Sequence, residues 1–426
     1  MPKKKILIPG GKLSDWALVN AAHKLGMYVI TSGTHRNAPA HEFADEYVCA
    51  DYSDKEAMLK LAQEKRIDYM CSCANDFGMI STAYVCEKLG LPGHDSYETT
   101  LTVHNKDRFK PIAKKLGIHS PVSEIFVDKA AAIDFISNSP KRMIVKPADN
   151  VASIGVSTPQ SPAEIRESVD LAFSKSKIGK IIVEPFIDGF FVPVTSMLIN
   201  QEVQAFFTEA YLEYPQGEKI ADPFPINYRT TGYQIPSPYA DEFSPAIIED
   251  FNKIAKELKL VDGKFHCELL VTPEHEAYIF DVHRRMSGFF TPWSHWDDAE
   301  EIKWEEWIVR AECGFDLSDF PKGFRQKKHI HSRNIYAPRN GIIKRVVFDE
   351  YLTSHIFPKY EGKNYIMNNI FVTDHRHRPI SLNYFEEDSQ CRLQFSFDDK
   401  DEAERICNPA SDEFYSHIRF EYADQY

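Results

Sequence analysis

Along the first hundred positions, short apolar runs alternate with amphipathic stretches, a pattern that predicts strands and helices in turn. KKILIPGG reads as a strand running into a glycine turn, residues 15–25 have helical periodicity closed by Gly26, and MYVITSG is a second strand. Ser53 and Glu56 frame a capping box that opens a helix reaching about Lys65. IDYMCSCA predicts a third, buried strand, and a helix then leads to LGLPG. Elements in that order predict an open, mostly parallel sheet with helices on both faces.

After Leu101 the rhythm changes. Asn105 is placed to cap a helix from Lys106 to Leu116, which Gly117 ends. SEIFV is a strand, a helix follows, RMIVKP is a strand, and ADNVASIG is a loop before a short strand, VST. Ser161 and Glu164 form another capping box with Pro162 at the first helical position, and that helix ends near Lys177. From KIIVEPFI to about residue 285 strands dominate, with one helix near 243–258. Tyr, Pro and Gly crowd residues 211–240, which predicts a surface loop. Beyond 330 come short strands and turns, then a helix around 399–406.

A chain of 426 residues is too long for one ordinary core. Four regions are expected: an N-terminal Rossmann-like domain over residues 1–104, a small lobe or lid over 105–180, a large lobe over 181–330 and a β-rich segment over 331–426. The fold class expected is mixed, α/β followed by α+β. Hydrophobic residues at 43% and charged residues at 27% are ordinary for a soluble globular protein. A net charge of -13, without a basic stripe interleaved with aromatics, argues against nucleic acid as a partner. No apolar run reaches the roughly 18 residues of a membrane span, so no membrane partner is expected. The basic start MPKKKILIPGG reads as a first strand, not a signal peptide. Eight cysteines without a CxxC pair favour reduced thiols and a cytoplasmic location.

The glycine turn at Gly10 and Gly11 has neither the GxGxxG spacing of a dinucleotide site nor the spacing of a phosphate-binding P-loop. The chemistry concentrates elsewhere, in residues 263–288 (GKFHCELLVTPEHEAYIFDVHRRMSG). These form a hairpin whose strands carry Glu268 and Asp281. Alternation sets His266, Glu268 and Leu270 opposite to Phe265, Cys267 and Leu269. Two acids on neighbouring antiparallel strands offer the oxygen ligands that a hard cation and a phosphate-bearing substrate require. Lys106 stands in the first turn of a helix, where a cation beside exposed amide groups makes a phosphate site. Lys146 ends an apolar strand, a position that calls for a partner.

In this order the motifs resemble those of the ATP-grasp superfamily over roughly residues 1–345. The likeness is to its carboxylate–amine and amino-acid ligases, and more distantly to the biotin carboxylase and carbamoyl phosphate synthase branch. The resemblance implies a two-lobed ATP site in which Lys106 and Lys146 contact phosphates. The loop holding Ser153 and Gly155 stands where relatives carry a glycine-rich phosphate loop. Glu184, Pro185, Phe186 and Ile187 match the hinge that recognises adenine; proline has no N–H, so the donor falls to Ile187. The stretch FFVP lacks the acid that relatives use for ribose. Glu268 and Asp281 match the magnesium carboxylates, and His283 stands where relatives carry asparagine as a further metal ligand. Imidazole suits manganese better than magnesium, so Mn2+ is a second candidate beside Mg2+.

Arg285 matches the arginine that stabilises the transferring phosphoryl group, with Lys146 assisting. Because neighbours on a strand point oppositely, only one of Arg284 and Arg285 is expected to serve. Ser287 and Gly288 match a substrate-holding turn, and Trp293 lies in the aromatic stretch that walls the pocket. Arg229 is a candidate carboxylate ligand. His329 with His331, and His375 with His377, read as structural pairs. The implied activity is an ATP-dependent, ADP-forming ligase that activates a small-molecule carboxylate as an acyl phosphate and joins it to an amine. A lid over about residues 120–180 would exclude water. The alternatives are a purine-pathway-like or bicarbonate-activating enzyme and a nucleotide-binding protein without catalysis. A homodimer is compatible with the sequence, which does not fix the oligomeric state.

Overall fold

A computed structural model describes residues 2–150, 154–213, 230–286, 303–321, 328–335, 342–359, 363–366, 371–372, 391–407 and 415–422. The chain divides into two compact units. The first comprises residues 1–207, 239–297 and 302–324, and the second residues 208–238, 298–301 and 325–426.

The first unit opens with β1 (Lys5–Pro9), α1 (Leu13–Lys24), β2 (Tyr28–Ser32), β3 (Glu46–Val48), α2 (Lys55–Lys65), β4 (Tyr69–Met70) and α3 (Asp76–Leu89). The strands form a parallel sheet in the order β3-β2-β1-β4, the α/β arrangement expected from the apolar runs. Two local expectations are corrected. Helix α2 is capped by Asp54, whose carboxylate accepts from the Glu56 and Ala57 amides, while Ser53 bonds to Asp51. The carboxylate outcompetes the hydroxyl because one oxygen serves two exposed donors. Helix α1 begins at Leu13, not Asp15, because Asp15 folds back onto the turn before it.

Next come α4 (Tyr97–His104), α5 (Lys106–Leu116), β5 (Glu124–Phe126), α6 (Lys129–Ser137), β6 (Met143–Pro147), α7 (Pro162–Lys175) and β7 (Ile181–Pro185). Helix α5 has the bounds its periodicity predicts, with Gly117 in the left-handed conformation that ends it. The antiparallel sheet β5-β7-β6 packs on α6 and α7 through Val145, Ile181, Val183, Ala132, Val169 and Ala172. The VST run makes a single bridge from Ser157 to Val145.

The remaining elements of this unit are β8 (Phe190–Ile199), β9 (Glu202–Thr208), α8 (Ala240–Leu258), β12 (Gly263–Val271), β13 (Ala277–His283) and α9 (Trp304–Glu312). Between β9 and α8 the chain contributes β10 (Ala210–Glu213) and β11 (Thr230–Ile235) to the second unit. The antiparallel sheet β13-β12-β8-β9 lays its apolar face on α5 and α8, burying Phe109, Phe251, Phe265, Cys267 and Val282. Phe251 and Phe265 meet edge to face, 4.7 Å between centroids.

In the second unit β11 pairs with β14 (His329–Ile335), which pairs with β18 (Cys391–Phe397), and β18 with β16 (Lys363–Ile366). A smaller sheet joins β15 (Ile342–Phe348) to β17 (Phe371–Val372) and β19 (Ile418–Tyr422). The predicted terminal helix spans Lys400–Cys407. Cys49, Cys71, Cys73, Cys86, Cys267 and Cys313 are free thiols, all buried except Cys49. No helix among the described residues is long and apolar enough to cross a membrane.

Candidate active site

A bulge decides which side chains of the β12–β13 hairpin reach the site. Residues directly opposite across an antiparallel pair project from the same face. Glu268 lies opposite Asp281, and His266 opposite His283. On β12 the odd positions Phe265, Cys267, Leu269 and Val271 enter the core, as do Ala277 and Ile279 on β13. Unbroken alternation would bury Asp281 beside Ile279. The register shifts after Glu268, leaving Phe280 as an extra residue on β13, and the shift turns Asp281 and His283 to the side of Glu268.

Helix α5 delivers two cations from one face. Lys106 places Nζ 2.7 Å from Asp281 Oδ2, and Lys110, one turn on, places its own 2.8 Å from Glu184 Oε1. Lys146 on β6 reaches Glu184 Oε2 at 2.5 Å, and the Ser123 hydroxyl donates to the same carboxylate. Lys106 and Asp281 neutralise one another. Around Glu184, two ammonium groups face one carboxylate and leave a positive surplus. Burial opposes the charge on Glu184, yet Lys110 and Lys146 pull its carboxyl down to about 2. Burial outweighs Glu184 at Lys110 and lowers that ammonium to about 8.

The acid pair splits in the same way. Burial, then the charge of Asp281, raises Glu268, with His283 and Arg285 working against the rise. Asp281 is held below the usual carboxylate range, because Lys106 and His283 overcome its burial. A carboxyl raised by burial and by its neighbour's charge, beside one already gripping a cation, is a donor set that a divalent ion would relieve. The residues present therefore fit magnesium, which Glu268 and Asp281 would hold.

On the far side of His283 stands a group that sequence reasoning missed. Asp76, first residue of α3, accepts from Arg285 Nε at 2.8 Å, and His283 Nδ1 also lies 2.8 Å from Asp76 Oδ1. His104 Nδ1 approaches that oxygen at 3.7 Å, and His283 Nε2 lies 3.7 Å from Asp281 Oδ2. Arg285 and His283 hold Asp76 well below the usual range despite burial, while burial lowers His104 to about 4. His266, hydrogen-bonded to Thr195, is pushed far below its ordinary value by burial and then by Arg285. Arg284 turns elsewhere, to Asp95 and the carbonyls of Val261 and Lys264. The neighbouring arginines thus divide: Arg285 joins the cluster and Arg284 anchors the scaffold.

On β7, Glu184 faces the two lysines. The Phe186 amide donates to the Arg142 carbonyl, and the Arg142 guanidinium lies 3.8 Å over the Phe186 ring. Gly155 is buried at φ +81°, where an added Cβ would stand 2.9 Å from Pro147 Cγ and from Lys175 Cβ. Close packing of the loop onto β6 and α7 accounts for that glycine. Ser153, Arg229, Ser287, Gly288, Trp293, His375 and His377 lie outside the described residues. Among the described residues His329 and His331 join no cluster of three metal-ligating groups. At the Gly10–Gly11 turn, Asp15 Oδ2 accepts from the Gly11 and Lys12 amides at 2.9 Å each, and Oδ1 from Ala74 at 3.1 Å. The donors an anion would need there are already engaged.

Of the residues missed, Lys110 had a signal: two lysines at i,i+4 on the face of α5 that also carries Phe109. Like charges at that spacing repel, so their burial asks for anions nearby. Asp76 and His104 had none, since neither is near β13 in sequence.

The parallel N-terminal sheet, the three-stranded lobe and the four-stranded sheet bearing the acid pair together constitute the ATP-grasp fold. No protein-family model matches the chain. It is 25% identical over 218 residues to the formate-dependent phosphoribosylglycinamide formyltransferase of Rhodococcus jostii (strain RHA1), covering 48% of this chain and 52% of that one. It is 30% identical over 191 residues to the D-alanine–D-alanine ligase of Helicobacter pylori (strain HPAG1), covering 43% and 52%. The chain spans about half the length of these curated relatives. Among solved structures, an L-amino acid ligase from Bacillus licheniformis superposes with a TM-score of 0.75 at 17% identity, covering 100% of both chains. Phosphoribosylglycinamide synthetase from Anaerococcus prevotii gives 0.73 at 17%, covering 99% of this chain and 100% of that one.

Proposed function

We propose that this chain is an ATP-dependent, ADP-forming ligase that activates a carboxylate and joins it to an amine. The observation that carries the reading is the Glu268–Asp281 pair on one face of the hairpin, with Lys106 already bound to Asp281. Glu268 and Asp281 would hold the magnesium of Mg·ATP, with His283 Nε2 flanking them and making manganese a second candidate. The ion supplies charge neutralisation at the phosphate oxygens. Lys110 and Lys146 hold the positive surplus that phosphate oxygens would offset, and Lys106 would be free to contact a phosphate if Asp281 held an ion. Arg285, oriented by Asp76, is set to stabilise charge on the transferring phosphoryl group and on the acyl phosphate. With Pro185 lacking an N–H and the Phe186 amide engaged, Ile187 is the hinge donor for adenine. No enzyme nucleophile is required, because positioning and charge carry the barrier lowering.

The relatives' names support the substrate class: formate with a glycinamide, alanine with alanine, and amino acids with one another are each a carboxylate with an amine. Asp15 at the Gly10–Gly11 turn favours the amino-acid side of this set over the phosphoribosyl side, because it closes a natural phosphate cradle. The free, buried thiols of Cys71, Cys73 and Cys86 support a reducing, cytoplasmic setting.

A phosphate-release screen with ATP, Mg2+ and paired amino acids, amines and carboxylates tests the reading. Turnover should require both partners, and Asp281→Asn should lower it by at least about a hundredfold, the scale of losing one preorganised charge at the reacting group. Turnover with bicarbonate and no amine would select the bicarbonate-activating alternative. ATP binding without turnover under any pairing would select the non-catalytic one.

A further inference from the structure

We propose a second cation site, distinct from the magnesium pair and suited to a borderline divalent ion such as zinc, built by Asp76, His104 and His283. One ligand atom from each lies within 4.8 Å of the others. All three residues are buried, at 6%, 4% and 2% exposure. Among the described residues the Nδ1 atoms of His104 and His283 make no aligned hydrogen bond, although both lie near Asp76 Oδ1, at 3.7 and 2.8 Å. Two buried imidazole nitrogens converging on one carboxylate oxygen form a donor set that a borderline divalent ion could take.

The spacing agrees with the chemistry. Around a tetrahedral zinc with ligands at 2.0–2.1 Å, neighbouring ligand atoms stand about 3.4 Å apart. The two distances to Asp76 bracket that value, and a ligand nitrogen of each histidine lies within 4.8 Å of the other's. Its ligands come from the start of α3, the end of α4 and the end of β13. Two nitrogens and one oxygen favour zinc or cobalt over magnesium. Arg285 Nε also lies 2.8 Å from Asp76 Oδ1, and Lys106 stands beyond His283 on Asp281. The ion must displace the Arg285 hydrogen bond or take the other carboxylate oxygen, a demand that a weakly held hard cation does not meet. The two nitrogens of His283 serve different neighbours: Nε2 faces Asp281, Nδ1 faces this site.

The proposal does not depend on the ligase reading, because its test uses no substrate. The full-length, nucleotide-free protein is titrated with Co2+ and followed by visible d–d absorption. One equivalent with a tetrahedral spectrum is expected, displaced by stoichiometric Zn2+ and unaffected by millimolar Mg2+. His104→Ala should weaken cobalt binding by at least about tenfold, and Glu268→Gln should leave it intact. Absence of the tetrahedral spectrum in the unmodified protein would overturn the proposal, independently of any variant's folding. So would displacement by Mg2+ or loss in Glu268→Gln, either of which would assign the ion to the acid pair.

Discussion

Glu184→Gln keeps the shape of the side chain and removes one charge. In the structure that carboxylate holds Lys110 and Lys146, both with almost no solvent, and accepts from the Ser123 hydroxyl. Its carboxyl stands at about 2 against an ordinary 4.5, a gap worth roughly 3 kcal/mol. That agrees with the about 3–5 kcal/mol seen when one partner of a buried ion pair is removed. Lys110 points the other way, lowered to about 8 from 10.5. The two readings differ because Glu184 has two cations to itself, while Lys110 shares one anion with Lys146. Glu184→Gln therefore leaves two buried ammonium groups facing each other, and Lys110 is the one that can yield its proton.

The sign of the pH effect follows. A folded value of about 8 below an unfolded 10.5 means that the protein gains stability as pH rises from 8 to 10.5. Without Glu184 that window opens at lower pH, so the variant recovers part of its deficit sooner. For Glu184 itself, depressed in the fold, stability is present above 4.5 and lost as pH falls toward 2, a loss the variant cannot show. Urea unfolding should give a deficit of about 3 kcal/mol at pH 7, smaller by about 1 kcal/mol at pH 9, with the denaturant slope unchanged. A deficit below about 1 kcal/mol at pH 7, or one that grows with pH, would refute the charge assignment.

Asp15→Asn tests the occupied glycine turn. Burial lifts Asp15 to about 6 from 3.8, against its backbone hydrogen bonds, so the wild type loses stability as pH rises from 3.8 through 6. The variant should lack that decline, worth about 3 kcal/mol, and equal slopes for the two proteins between pH 4 and 7 would contradict the assignment. Gly155→Ala should cost about 1–2 kcal/mol for its left-handed backbone, plus the clash with Pro147 and Lys175, read as a lowered melting temperature. An unchanged melting temperature would show that the loop, not the packing, sets that position.

The elements were legible wherever local chemistry decides them. Helix α5 was readable to the residue because Gly117 and a buried face agree, although Asn105 at its start makes no side-chain cap hydrogen bond. The α2 cap was misread because the sequence offers Ser53 and Asp54 side by side, and only the geometry shows which oxygen meets two amides. Alternation along β12 placed Glu268 correctly opposite the core-facing Phe265 and Cys267. Along β13 alternation alone would have buried Asp281 with Ile279, since a bulge leaves no period to read.

What the sequence could not show is long-range pairing. Arg285 and Asp76 are 209 positions apart, and neither has a local pattern that anticipates the other. The resemblance to the ATP-grasp superfamily made Glu184 a hinge acid, yet its charge is set by Lys110 on a helix and Lys146 on the neighbouring strand. This matters for the chemistry, because the fold supplies the charges in opposed groups. Lys106 balances Asp281, the lysines around Glu184 exceed it by one, and Glu268 is raised beside Asp281. A polyphosphate carrying a divalent ion would offset both imbalances at once: its oxygens at the lysines, its cation at the acids. Neither a bare anion nor a bare metal would do so, and for that reason Mg·ATP would suit these groups better than either component alone.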